Sequence, residues 1–214
     1  MNGGSFVRLV CAGALALVVS GCASVLGGNT PTTLYGLTAP DDYAMAFETP
    51  SWQMTVEEPL AERALDTDRI AIYTGPHALQ YFPGARWTDR APRIVQDLIV
   101  ESFEHAGLHL SAGRQTAGVR PTVALISDLR AFEAVVAGAG GENVQPVTRV
   151  QLSARVVSLE GRTILAGRTF EAQQVAASDD VADVVTALNA ATQQVIRELV
   201  IWSATTSSKG LPAS

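Results

Sequence analysis

The sequence predicts an α+β fold: a mainly antiparallel sheet with two long helices packed on one face. Three observations predict it. The hydrophobic period changes from two residues to three and four after Asp89, a second helical stripe closes the chain between Ser178 and Ile201, and two strand-like runs between them meet at Glu160-Gly161. Strands gathered into runs, with the helices set apart from them, make a sheet covered on one face rather than a βαβ alternation.

Leu34 to Leu37 is a brief apolar segment suited to an edge strand, and Trp52, Met54 and Val56 alternate with polar neighbours ahead of Pro59. Pro59 to Leu65 reads as a single turn. Ile70 and Ile72 mark one strand, Leu79 and Tyr81 another, and Pro83-Gly84 turns the chain before Trp87. A helix is expected from Arg90 to Ala106, with Asp89 to cap it, Pro92 in its first turn and Gly107 to stop it. Ile94, Val95, Leu98, Ile99, Phe103 and Ala106 share its apolar face.

Leu108 to Leu110 can begin a short strand, and Ser111 to Arg120 is a polar connection. Thr122 to Val136 reads as a strand with an irregularity near Asp128, followed by a flexible glycine-rich turn from Ala137 to Asn143. Val150 to Val156 and Thr163 to Val175 form a hairpin. In the last helix Ser178 caps, Asp179 and Asp180 occupy the first turn, and Val184, Leu188, Ala191, Val195 and Leu199 line a stripe. The Ser- and Thr-rich residues 203–214 read as a loose tail.

The 214 residues suit one domain, and 47% hydrophobic against 17% charged residues suits a packed core. With 21 Asp and Glu against 15 Lys and Arg, the net charge of −6 gives no electrostatic footprint for nucleic acid. Both cysteines lie near the start. Cys11 sits in the apolar run Leu9 to Val19, which comes after Arg8 and is shorter than the roughly 20 residues that span a bilayer. A basic start, an apolar centre and small residues at its end describe an export signal.

Val19-Ser20-Gly21-Cys22 closes that run and resembles the bacterial lipoprotein processing motif. The resemblance implies that the Cys22 thiol receives a diacylglycerol, that cleavage makes Cys22 the first residue, and that its amine is acylated as well. Several acyl chains hold a protein at a membrane where one chain binds only marginally. An ordinary secretory signal cleaved near Ala23 or Ser24 is the competing reading. The organisation expected is a signal peptide over 1–21, a tether over 22–33, a domain over 34–202 and the tail. Ala23, by the proteobacterial sorting rule, implies the periplasmic face of the outer membrane rather than the inner membrane.

Further residues carry a second resemblance. Tyr35-Gly36-Leu37, Leu65 to Ala71 leading into a strand, Leu79-Gln80-Tyr81-Phe82, Ala85-Arg86-Trp87-Thr88 before a helix, Phe132-Glu133 and Trp202 resemble the ABC-type transport auxiliary lipoprotein family over about Leu34 to Trp202. The resemblance implies a non-catalytic periplasmic accessory of a lipid transport system. Its partners would be an MCE-domain substrate-binding protein and, through it, a permease and an ATPase, with a homo-oligomeric ring as the form in which the chain caps or docks the conduit. The Gly-rich loop at Ala137 to Gly141 and Tyr81-Phe82 in place of paired tyrosines depart from common members. The alternative is a stand-alone binding protein holding a lipid or small apolar molecule in a pocket between sheet and helix.

Tyr81, Phe82, Arg86 and Trp87 flank the Pro83-Gly84 turn and form the candidate partner interface, since aromatic and arginine side chains concentrate interface energy. The same rings, placed alternately, equally suit a core, and Arg86 equally suits an ion pair. No catalytic or cofactor set is expected. His77, His105 and His109 lack the spacing of a metal-bound base, Asp66 and Asp68 lack the further carboxylates of a calcium loop, and Gly138, Gly140 and Gly141 lack the subsequent Lys-Ser/Thr of a phosphate loop. Hydrolysis of ATP would belong to a partner.

Overall fold

The computed structural model describes residues 31–43, 47, 50–108, 112–114, 120–136 and 145–210. Its strands are β1 (Thr33–Tyr35), β2 (Met54–Val56), β3 (Leu60–Ala61), β4 (Arg69–Tyr73), β5 (Leu79–Trp87), β6 (Ala112–Gly113), β7 (Val123–Val135), β8 (Val147–Ser158) and β9 (Thr163–Val175). The helices are α1 (Ala91–His105) and α2 (Val181–Gly210).

β7 is the spine of the sheet. Along one edge it pairs antiparallel with β8 for its whole length, and β8 continues antiparallel into β9. Its other edge is covered in succession by three short segments, β2, β3 and β4, all parallel to it: Met54 lies opposite Val123, Leu60 opposite Asp128 and Ala71 opposite Glu133. The chain from Met54 to Tyr73 thus runs alongside β7 in pieces, interrupted at Pro59 and by the turn in which Leu65 and Asp66 donate to the Glu62 carbonyl at 2.8 and 2.9 Å. β1 and β6 add two more parallel pairings, with β5 and β2.

The sheet is therefore mixed and not mainly antiparallel as the sequence suggested. The hairpin runs were visible because their connection is short. Parallel pairing needs a long crossover, and the passage from β4 through β5 and α1 to β7 supplies one that no local pattern announces.

Both helices contact the sheet, and the period-two burial pattern identifies the face that α2 covers. In β8, Thr148, Val150, Leu152, Ala154 and Val156 are buried while the residues between them are less so. Leu125 and Leu129 of β7 join that layer, and after an irregularity between Leu129 and Ala131 Phe132 takes over. α2 lies over β7, β8 and β9 with Leu188, Ala191, Val195 and Leu199 inward. α1 packs beside it, burying Val95, Ile99 and Phe103. Each such side chain contributes about 1.5–3 kcal/mol by leaving water, so this layer carries the stability.

Four local details differ from expectation. The N-cap of α1 is Arg90, with no side-chain cap; the Ala91 amide instead donates to the Thr67 carbonyl at 3.1 Å, which ties the helix start to the turn before β4. Leu60–Ala61 is a strand, and the chain turns only beyond it, from Glu62. Pro83-Gly84 does not reverse the chain. β5 pairs with β4 on both sides of it, Arg86 opposite Arg69 and Tyr81 opposite Ala71, so Phe82 to Ala85 is a bulge, with Gly84 at φ 66°.

Finally, the expected tail is helical as far as Gly210. Its hydroxyls bond back into the helix, Ser207 to the Ser203 carbonyl at 2.8 Å and Ser208 to Ala204 at 3.0 Å. Ser203, Ala204 and Ser207 are buried, and the Trp52 indole N–H donates to Ser208 Oγ at 3.1 Å. Small hydroxyl side chains let this end approach Trp52, which a reading of Ser and Thr as solvent-loving misses.

Candidate functional site

The alternation of β5 decides what its aromatic residues can do. Trp87 is 2% exposed and packs on Phe132 with ring centroids 5.5 Å apart, on the helix side of the sheet. Phe82 is half-buried and, like Ile72, packs against the cluster of Ala134, Ala176, Val184 and Ala187, also on the helix side. Tyr81 and Arg86 belong to the other face. The Tyr81 hydroxyl donates to the Ala64 carbonyl at 3.0 Å, and the Arg69 guanidinium lies 3.6 Å from its ring centroid. Arg86 Nη1 donates to both Asp68 carboxylate oxygens, at 2.8 and 3.0 Å, with 47% of its side chain exposed.

The four residues proposed from sequence therefore do not form one surface. Trp87 is corrected to a core residue and Phe82 to a packing residue over α2, because the side chains of a strand leave opposite faces in turn. Arg86 remains accessible. Asp66 and Asp68 are answered by arginines, Asp66 together with Glu58 by Arg90 and Asp68 by Arg86, and do not form an acidic site. Cys22 lies outside the described residues, as do Cys11, His109 and the Gly-rich turn.

The open face carries a row that the sequence did not announce. Strand register places Gln173, Arg149, Glu133, Ala71 and Tyr81 side by side across β9, β8, β7, β4 and β5. Arg149 does not pair with its neighbour Glu133. It turns to Glu171, Nε to Oε1 at 3.0 Å, where Gln151 at 2.6 Å and Gln173 at 3.1 Å also donate. The Gln173 amide and the Arg149 guanidinium hold the Glu171 carboxyl below its ordinary range.

Glu133 is 6% exposed, and the Phe132 amide donates to its Oε2 at 2.6 Å. Burial pushes this carboxyl above the ordinary range, with that hydrogen bond and the Arg149 charge opposing. It lines a cleft of about 590 Å³. The floor is β4 and β7. One wall is the segment Glu62 to Leu65, which the Tyr81 hydroxyl fastens at Ala64, and the other is the turn Thr74 to Leu79, closed by the Thr74 amide donating to Ala78 at 3.0 Å. Arg130, exposed at the β7 irregularity, stands at the rim. A lone acid inside the apolar run Ala131 to Val135 was the one available signal for this site.

The domain is thus a mixed sheet covered by helices on one face, with a polar cleft on the other. The family is shown by comparison with known proteins. The model of the ABC-type transport auxiliary lipoprotein component matches residues 35–200, and the chain belongs to that family. The family is an auxiliary transport class and not a catalytic one.

Among solved structures, protein XCC0632 from Xanthomonas campestris, of family DUF330, is 30% identical with a TM-score of 0.69, covering 81% of this chain and 96% of its own. A second, an uncharacterized protein, is 12% identical with a TM-score of 0.62 over 80% of this chain and 98% of its own; that likeness is one of fold alone. An uncharacterized protein from Bradyrhizobium diazoefficiens is 27% identical over 195 residues, 89% of this chain and 50% of the relative, so the chain spans about half the length of the curated relative that it matches.

Proposed function

We propose that the chain is a periplasmic accessory of an MCE-type ABC lipid transport system, held at the membrane through an acylated Cys22 and docking the periplasmic conduit. The observation that carries this reading is the family match, which runs over residues 35–200, from the end of β1 into α2. Among the described residues no helix is long and apolar enough to cross a membrane, so attachment in this reading falls to the lipid. The outer membrane, on its periplasmic side, is the expected location, from Ala23 after the acylated cysteine.

The fold suits docking in two ways. The open face is polar and carries Arg86 and the Arg149–Glu171 pair, a composition that fits a wet, separable contact better than a permanent one. β9 is hydrogen-bonded to β8 alone among the described strands and exposes Ile164 and Val175, at 64% and 61%, which supports lateral contact between copies in a ring. MCE-domain protein, permease and ATPase are the partners in this reading. Membrane extraction and then native mass spectrometry test it: a ring, or a complex with an MCE-domain protein, is expected, and a monomer without either contradicts it. Fractionation that leaves the mature chain with the inner membrane would contradict the location.

A second reading, a protein that binds a small ligand by itself, is favoured by the cleft at Glu133. It requires a change of place. The pocket expected between sheet and helix is filled by Leu152, Phe170, Leu188 and Val195, all 2% exposed or less, and the cleft opens on the opposite face.

A further inference from the structure

The cleft over β4 and β7 holds charges that form no ion pair among the described residues. Glu133 faces Arg149 by register, yet Arg149 is committed to Glu171. Arg130 and Glu62, both exposed at the rim, form no ion pair among the described residues. Leu65, Leu79 and Val135 supply apolar wall between them. A buried carboxylate costs free energy unless a cation meets it, and an apolar lining with a few convergent charges is how small-molecule sites are built. The volume of about 590 Å³ falls within the range of such sites.

We propose that this cleft binds a zwitterionic amphiphile. A primary ammonium reaches the Glu133 carboxylate, an adjacent phosphate or carboxylate reaches Arg130, and an apolar portion lies along Leu65, Leu79 and Val135.

Each part of that ligand is dictated by the lining. A divalent cation is disfavoured, because Glu62 is the one other carboxylate at the cleft and no three ligating side chains converge among the described residues. A quaternary ammonium asks for a cage of aromatic rings, and among the described residues Tyr73 is the single ring at the cleft. A primary ammonium, with three hydrogen-bond donors, suits a carboxylate that has one amide donor already in place from Phe132. Arg130, exposed at the rim and without an ion pair among the described residues, suits an anion a few bonds away. Tyr81 acts here as a positioning residue, since its hydroxyl fastens the Ala64 wall.

The chemistry is shared by an aminophospholipid headgroup and by a free apolar amino acid. The inference goes beyond the docking reading and stands whether or not docking occurs. Isothermal titration of the detergent-extracted full chain with dihexanoyl phosphatidylethanolamine, leucine and dihexanoyl phosphatidylglycerol tests it.

Saturable binding of the first or second, and not of the third, is expected. Glu133→Gln, which keeps the acceptor for the Phe132 amide, should weaken it by about tenfold or more, as loss of a charged hydrogen bond does. Arg130→Ala, at an exposed position, should weaken it severalfold without altering the melting curve. Phosphatidylethanolamine alone would assign the lipid source, leucine alone the free one, and both the shared chemistry. Absence of saturable binding to either, equal binding of phosphatidylglycerol, or affinity unchanged in both variants would overturn the proposal.

Discussion

The two faces of the sheet are built from the same strands and have different work. On the helix side, Leu125, Val150, Leu152 and Phe170 are 2% exposed or less and meet α2. On the other side, Arg149, Gln151 and Glu171 join side chains across β8 and β9 in a layer that water can reach. Stability therefore resides in the covered face, and the polar face is the one left free for the proposed docking. The division teaches that a residue's type says less about its role here than the parity of its position: Trp87 and Arg86 are neighbours in sequence and belong to opposite faces.

Substitutions sharpen that contrast, beginning with the largest effect. Phe132→Ala, beneath Trp87, should destabilise by about 3–5 kcal/mol in a denaturant titration, since a large buried ring is removed and a cavity left. Ending the chain after Trp202 should also lower the melting temperature markedly, by the loss of Ser203, Ala204 and Ser207 from the core and of Ser208 from Trp52. A melting curve unmoved by that truncation would restore the loose tail expected from sequence.

Glu133→Gln gives a smaller, pH-dependent effect. The folded-state value of this carboxyl is raised, so its contribution to stability is fully present below the unfolded value and is lost as pH rises through the folded one. The variant should therefore melt higher than the parent at pH 7.5, and the two should converge near pH 4. A lower melting point for the variant at pH 7.5 would show that Glu133 is favourably charged in the fold. The smallest effect belongs to Arg86→Ala: its exposed pair with Asp68 should be worth about 0–1 kcal/mol to stability, while contact with a partner on this face should weaken.

Much of the fold was legible in the chain. Period-two and period-four patterns located β4, β7, β8, β9 and both helices, because apolar spacing reports which side of an element is buried. Spacing does not report which strand lies alongside. The three short segments on the far edge of β7 come from residues 54–73, and that pairing depends on a crossover through α1. Leu60–Ala61 is too short to show a period at all. The end of α2 was missed because Ser and Thr are read as polar, although in a helix their hydroxyls can return to the backbone and leave a small, packable surface.

The site was legible only in part. Arg86 makes the ion pair that was its competing reading, and the sequence reads Pro83-Gly84 as a turn, which sets Tyr81 and Phe82 on one surface with Trp87. A bulge lengthens one strand without reversing it, and alternation on either side of it parts Tyr81 from Phe82 and Arg86 from Trp87. Glu133 and Arg149 were missed because they come together through register across β7 and β8, which no linear spacing encodes, and Arg130 because it stands at the irregularity between Leu129 and Ala131.

Photo-crosslinking from defined positions in intact membranes tests most directly whether the open face meets the transport system. A benzophenone side chain at Ser153 or Arg86 on that face, compared with one at Thr186 on the exposed side of α2, should capture an MCE-domain protein from the first two positions and not from the third. Capture from Thr186 with none from Ser153 or Arg86 would contradict the account, since the partner would then rest on the helices and the open face would serve some other purpose.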